Sequence, residues 1–302
     1  MAGGINIQQN LECVLHRKGR LAEGPVWDGA SGRLIWVDIL GQSLHFYNPL
    51  TGNDDAHLFD QLTCAAVPAA DGRLLLAMQN GLYWYKEQER SLQWISSPES
   101  HLPGNRLNDG KCDPAGRFWV GSMSMGPSSA SGSLYCMDHA LNVHITETNV
   151  ELSNGMGWSP DGTVMYFIDT LRSYVYAYDY DREAGVISSR RVLIHFPKEF
   201  GLPDGMTVDS EGRLWVAHWG GGRVTCWDPI TGKELDRIEI PARLVTSCAF
   251  GGPDLNELYI TTAVDDESGQ EDPYGGSLFR VKPGVTGIPA VRFQTTMDMD
   301  QY

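Results

Sequence analysis

The sequence predicts an all-β fold, a six-bladed β-propeller, and three observations carry that prediction. A glycine-centred turn followed by a β-rich run recurs along the chain. Each copy leads into a second short strand rich in aromatic residues. No helical stripe of roughly 10–15 residues separates the copies, which disfavours a parallel α/β sheet.

The turn copies are Ser31-Gly-Arg-Leu-Ile-Trp-Val37, Asp71-Gly-Arg-Leu-Leu-Leu76, Ala115-Gly-Arg-Phe-Trp-Val120, Asp161-Gly-Thr-Val-Met-Tyr-Phe167 and Glu211-Gly-Arg-Leu-Trp-Val216. A sixth, Leu255-Asn-Glu-Leu-Tyr-Ile260, has Asn256 where the others have Gly, and Asn tolerates a left-handed backbone. The turn residues 32, 72, 116, 162, 212 and 256 lie 40 to 50 residues apart, which is propeller spacing. The second strands read Ser43–Tyr47, Gly81–Tyr85, Gly132–Cys136, Tyr174–Tyr178, Arg223–Trp227 and Gly276–Arg280. Two stacked sandwiches would also give short strands, but they have no reason to repeat one turn six times. A terminal strand, Leu11–His16 or Ala290–Gln294, is expected to close the ring, and all 302 residues are expected to form one domain.

Composition narrows the function. The chain carries 23 Lys plus Arg against 38 Asp plus Glu, a net charge of −15, which argues against nucleic acid or an anionic membrane as a partner. Nothing requires a protein partner. No apolar run approaches the roughly 18 residues of a membrane span, and residues 1–10 do not read as a secretion signal. The six cysteines include no C-x-x-C pair, so free thiols in the cytoplasm are expected.

A propeller brings the starts of its innermost strands to one mouth of a central channel. Eight positions before each turn residue, nine in the first copy with its longer turn, stand Glu23, Cys64, Asn108, Asn154, Asp204 and Cys248. Carboxylates facing one another in a narrow channel repel and are costly to desolvate, and a cation removes both penalties. Carboxylate and amide oxygens without histidine suit one hard divalent ion, Ca²⁺, Mg²⁺ or Mn²⁺, with Zn²⁺ a poorer match. Cys64 and Cys248 read as small buried thiols. Taken singly, Asn108-Asp109-Gly110, Asn154-Gly155 and Asp204 after Pro203 are ordinary turn peptides; their shared offset is what marks them. Asp179-x-Asp181-x-Glu183 lacks the spacing of a calcium loop and reads as a hairpin turn, 265–272 as an exposed acidic loop, and His218 as core.

Ala22-Glu-Gly-Pro25, Arg106-Leu-Asn-Asp-Gly-Lys111, Ser153-Asn-Gly155, Pro203-Asp-Gly-Met206 and Thr246–Gly252 together resemble the gluconolactonase, regucalcin and luciferin-regenerating-enzyme family of six-bladed propellers. The resemblance runs from about residue 21 to 281. It implies a divalent metal held by Glu23, Asn154 and Asp204, with Arg106 and Asn108 contacting substrate. It also implies hydrolysis of a sugar lactone, the cyclic ester of an aldonic acid, with Asp204 the best-placed general base. Some animal members carry a sugar-binding Glu where this chain has Gly126. A regucalcin-like Ca²⁺-binding regulator, or a hydrolase of other esters or organophosphates, would use the same fold; Arg106 and Asn108 favour a polyol substrate.

Overall fold

The computed structural model describes residues 10–126, 131–266, 269 and 271–296. They form an all-β propeller of antiparallel sheets. After β1 (Glu12–Leu15), the first sheet runs β2 (Ala22–Asp28), β3 (Arg33–Asp38), β4 (Ser43–Asn48) and β5 (Asn53–Leu58). The second holds β6 (Thr63–Pro68), β7 (Leu74–Met78), β8 (Gly81–Lys86) and β9 (Ser91–Ser96). The third holds β10 (Asn105–Cys112), β11 (Phe118–Ser124), β12 (Gly132–Met137) and β13 (Val143–Val150). The fourth holds β14 (Ser153–Trp158), β15 (Val164–Asp169), β16 (Tyr174–Asp181) and β17 (Val186–His195). A fifth, eight-stranded sheet contains β18 (Leu202–Val208), β19 (Leu214–Trp219), β20 (Arg223–Asp228) and β21 (Lys233–Glu239), followed by β22 (Leu244–Gly251), β23 (Glu257–Ala263), β24 (Leu278–Val281) and β1. Its halves meet through one residue pair, Trp219 opposite Leu244.

Burial falls from the inside outward. β6 and β14 are buried along their whole length, whereas β9 and β17 are mostly exposed or half-buried. The apolar cores lie between neighbouring sheets: Leu75 and Trp84 pack in one cluster with Phe118 and Val120. The strands β2, β6, β10, β14, β18 and β22 touch in cyclic order and surround the channel.

The repeated turn has a physical reason. Gly32, Gly72, Gly116, Gly162 and Gly212 all have positive φ, the region Gly enters at least cost. The arginine behind the turn is also used. Asp113 Oδ2 accepts from Arg117 Nε at 2.7 Å and Trp119 Nε1 at 2.9 Å, and Asp209 holds Arg213 and Trp215 at the same distances. In the sixth copy the left-handed residue is Leu255, with φ 53°, and not Asn256. Eight positions before Leu255 stands Ser247, one residue ahead of the Cys248 that counting from Asn256 selects.

The N-terminal strand closes the ring: β1 pairs antiparallel with β24. The segment Ala290–Gln294 instead crosses the far end of the channel. There Phe293 N donates to Pro68 O and Gln294 N to Gly116 O. The Asp181 turn is a hairpin, its carboxylate accepting from Glu183 N and Ala184 N. His218 is core, fully buried and packed edge-on against Phe196. The acidic stretch 265–272 lies partly outside the described residues. Its Asp265 is no free acid, being paired with Arg243. Among the described residues, no helix is long and apolar enough to cross a membrane.

Candidate functional site

Each channel-lining strand breaks register near its start, at Glu23/Val26, Thr63/Ala65, Leu107/Gly110, Ser153/Met156, Pro203/Met206 and Val245/Ser247. A bulge leaves a residue out of the ladder and re-aims its side chain. Asn108, Asn154 and Asp204 sit inside such breaks and Glu23 at the edge of one, so these peptides are bulges within strands and not the turns their composition suggests. All four side chains are buried.

The glycines behind Asn154 and Asp204 follow from crowding. A Cβ on Gly155 would stand 2.6 Å from Met206 N, and one on Gly205 2.1 Å from Ser247 Oγ. Only glycine lets β14, β18 and β22 approach this closely. The same contact places Ser247 against Gly205, the residue after Asp204. Cys248, expected at this mouth, instead packs in the core with Trp215 and Phe250, its thiol donating to Trp215 O at 3.4 Å. Counted from Leu255, the eighth position back is Ser247 and not Cys248.

Asn108 and Asn154 look alike in sequence, but the structure separates them. Asn108 is engaged on both sides: its Oδ1 accepts from Arg106 Nη1 at 2.6 Å and its Nδ2 donates to Ser153 O at 2.8 Å. Asn154 donates from Nδ2 to Thr170 Oγ1 at 3.2 Å, and its Oδ1 is buried with no partner. Asp204 Oδ1 is likewise buried and makes no well-formed hydrogen bond, although Asn154 and Glu23 stand close enough to its carboxyl to shift its titration. Glu23 accepts from Gly24 N at 3.0 Å. Unmet acceptors on adjacent strands are costly, and a cation satisfies them.

The electrostatics agree. Burial first, and then the charge of Asp109, push the Glu23 carboxyl up to about 8. Burial, Glu23 and Asp109 in that order hold Asp204 well above the usual carboxylate range. Arg106 opposes both shifts. It stands two residues before Asn108, yet its Nη1 also reaches Leu107 O and Cys64 Sγ, which brings it into the mouth. Burial raises the Cys64 thiol, keeping it protonated and a poor metal ligand.

Asp109 is the residue that sequence reasoning passed over. Buried and bonded to Gly110 N at 2.8 Å, it acts on Glu23 and Asp204; burial raises its own pKa, and Lys111 and the Gly110 N–H oppose that rise only in part. The available signal was its place beside Asn108 in a two-residue bulge. Among the described residues, no group of three His, Cys, Asp or Glu side chains is placed to hold a metal. A donor set here would have to draw on other oxygens, of which Asn154 Oδ1 is a buried one without a hydrogen-bond partner. Gly126 is exposed and offers no carboxylate.

Fold and mouth define a class: an all-β propeller whose channel opens at one end on buried carboxylates, an unpartnered amide oxygen and an arginine. The chain belongs to the SMP-30/Gluconolactonase/LRE-like family, whose pattern matches residues 21–264. It is 41% identical to the pentonolactonase XacC of Haloferax volcanii, over 92% of this chain and 96% of that protein. It is 40% identical to regucalcin of Danio rerio, with the same coverage. The solved structure of a calcium-binding protein, regucalcin, from Agrobacterium tumefaciens superposes with a TM-score of 0.88 at 31% identity, covering 93% of this chain and 96% of that one.

Proposed function

We propose that this protein hydrolyses sugar lactones to aldonic acids, with Glu23, Asn154 and Asp204 holding one divalent ion, Ca²⁺ first among the candidates. The observation that carries the reading is the pair of buried, unpartnered oxygens, Asn154 Oδ1 and Asp204 Oδ1, beside Glu23. The family relationship supports the reaction class, and a relative named as a pentonolactonase supports a lactone as substrate. We also read the chain as a single domain of six blades. The one-pair junction within the eight-stranded sheet and the cyclic order of the channel-lining strands support that count.

In this mechanism Arg106 orients the sugar. Among the described residues its side-chain hydrogen bonds leave from Nη1, so Nε and Nη2 remain to donate to substrate oxygens. Asn108, fixed by Arg106 and Ser153, holds that fork in place. Asp204 accepts a proton from the attacking water as the new C–O bond forms at the carbonyl carbon. It returns the proton to the ring oxygen when the old C–O bond breaks. A bound divalent ion would supply charge to keep Glu23 and Asp204 ionised and Lewis-acid polarisation of the carbonyl.

A panel of sugar lactones, assayed with metal-loaded and chelated protein, tests the reading. Hydrolysis that needs metal and falls with Asp204→Asn supports it. Metal binding without turnover of any lactone would instead favour a Ca²⁺-binding role like the one for which the Agrobacterium tumefaciens protein is named.

A further inference from the structure

At the opposite end from Glu23 and Asp204, the channel opens into a separate cavity of about 170 Å³. All six channel-lining strands contribute to its wall, and Ile288, Pro289, Ala290 and Val291 run across it. The wall is apolar and aromatic, dominated by Trp27, Trp158 and Phe250, with several prolines. Lys111 is the one lysine or arginine among its lining residues, and no Asp or Glu is among them, in a chain of net charge −15.

Lys111 touches the metal mouth only through Asp109, and among the described residues no hydrogen bond joins it to Glu23, Asn154 or Asp204. Its Nζ donates to Met206 O at 2.8 Å, leaving donors free. Burial disfavours the ammonium, and Asp109, on the side of the metal mouth, partly restores it. A neutral hydrophobe entering the cavity would desolvate Lys111 further without compensation, and a cation would be repelled. A polyol would leave its hydroxyls against tryptophan and proline. A hydrophobic acid meets both demands, apolar contact for its body and a counter-charge for Lys111. The volume lies below the roughly 300 Å³ at which drug-sized sites begin, so it admits about one ring.

We propose that this cavity is a second ligand site, binding a small hydrophobic monocarboxylate whose ring or short chain lies against Trp27, Trp158 and Phe250 and whose carboxylate pairs with Lys111.

Calorimetric titration of the metal-loaded full chain with benzoate and with benzyl alcohol tests it, in the presence of saturating aldonic acid to occupy the other mouth. Benzoate should bind about tenfold or more tightly than the alcohol, the margin of a charge-assisted hydrogen bond. Lys111→Met should erase that margin. Ala290→Phe, a change in the exposed covering segment, should weaken both ligands while lactone hydrolysis is unchanged. Equal affinity for acid and alcohol overturns the proposal. So does displacement of benzoate by the aldonic acid, which would place benzoate at the metal mouth, or undiminished binding in Ala290→Phe. None of these outcomes bears on whether the metal mouth hydrolyses lactones, so the two readings fail separately.

Discussion

Nη1 of Arg106 donates to the side-chain oxygen of Asn108 at 2.6 Å, across the bulge that lets both reach the channel mouth. The two residues expected to contact substrate are therefore one unit. Losing either frees the other, so their effects should not add. Arg106→Ala and Asn108→Ala should each cost about 1–3 kcal/mol in kcat/KM, and the double variant well below the sum. Metal affinity should stay near wild type in Arg106→Ala. Additive losses, or a collapse of metal binding with the fold intact, would reassign Arg106 to supporting the metal ligands.

Glu23 and Asp204 should separate when each is made an amide. Asp204→Asn keeps an oxygen and the side-chain size but loses the base and one charge. It should retain weakened metal binding and lose about a hundredfold or more in kcat. Glu23→Gln should weaken metal affinity first, with turnover recovered at high metal. A metal titration of lactone hydrolysis in both variants decides this. Normal turnover by Asp204→Asn at saturating metal would leave Asp204 a ligand only.

Removing metal should expose the strain between these carboxyls. Glu23 titrates at about 8 in the folded chain without metal, against an ordinary 4.5. The folded state then holds its proton more tightly than the unfolded state. The stabilisation is complete below 4.5 and is lost as pH rises through 8. The melting temperature of chelated protein should therefore fall between these pH values. Metal-loaded protein should be more stable and flatter across the same range, because the ion binds the folded state alone. Identical pH profiles with and without metal would show that no ion sits among these groups.

The turn assignments can be tested without touching the site. Gly32 has φ 64° and a methyl added there would meet nothing within 4 Å, so Gly32→Ala isolates the backbone cost, about 1 kcal/mol. Asn256 lies outside the left-handed region in this chain, so Asn256→Ala should stay within about 0.5 kcal/mol of wild type in denaturant unfolding. Equal losses would return the sixth turn to Asn256.

Much of this was legible because glycine reports backbone geometry directly. Five turn glycines and an offset of eight, nine in the first copy with its longer turn, led to Glu23, Asn108, Asn154 and Asp204. The pattern failed where the left-handed residue was Leu255, since leucine carries no such signal. Cys248 was therefore placed at the mouth where Ser247 stands against Gly205. Composition also misread bulges as turns, because Asn-Gly and Pro-Asp-Gly serve both. Which amide oxygen lacks a partner depends on contacts with Arg106 and Thr170, 2 and 16 residues away, that no local pattern encodes. The choice of β1 over Ala290–Gln294 as closing strand was equally non-local.

That closing strand sets the order of assembly. Glu12 bonds to Arg280 across 268 positions of chain, so a strand made early has no sheet to join until β24 exists. Until then its backbone groups stay solvated and β24 presents an unpaired edge. Ring closure thus depends on the most distant strand pairing among the described residues, which the contact-order relation places among the slow steps of folding. Once made, it turns separate sheets into a circle in which no channel-lining strand can leave without disturbing two neighbours.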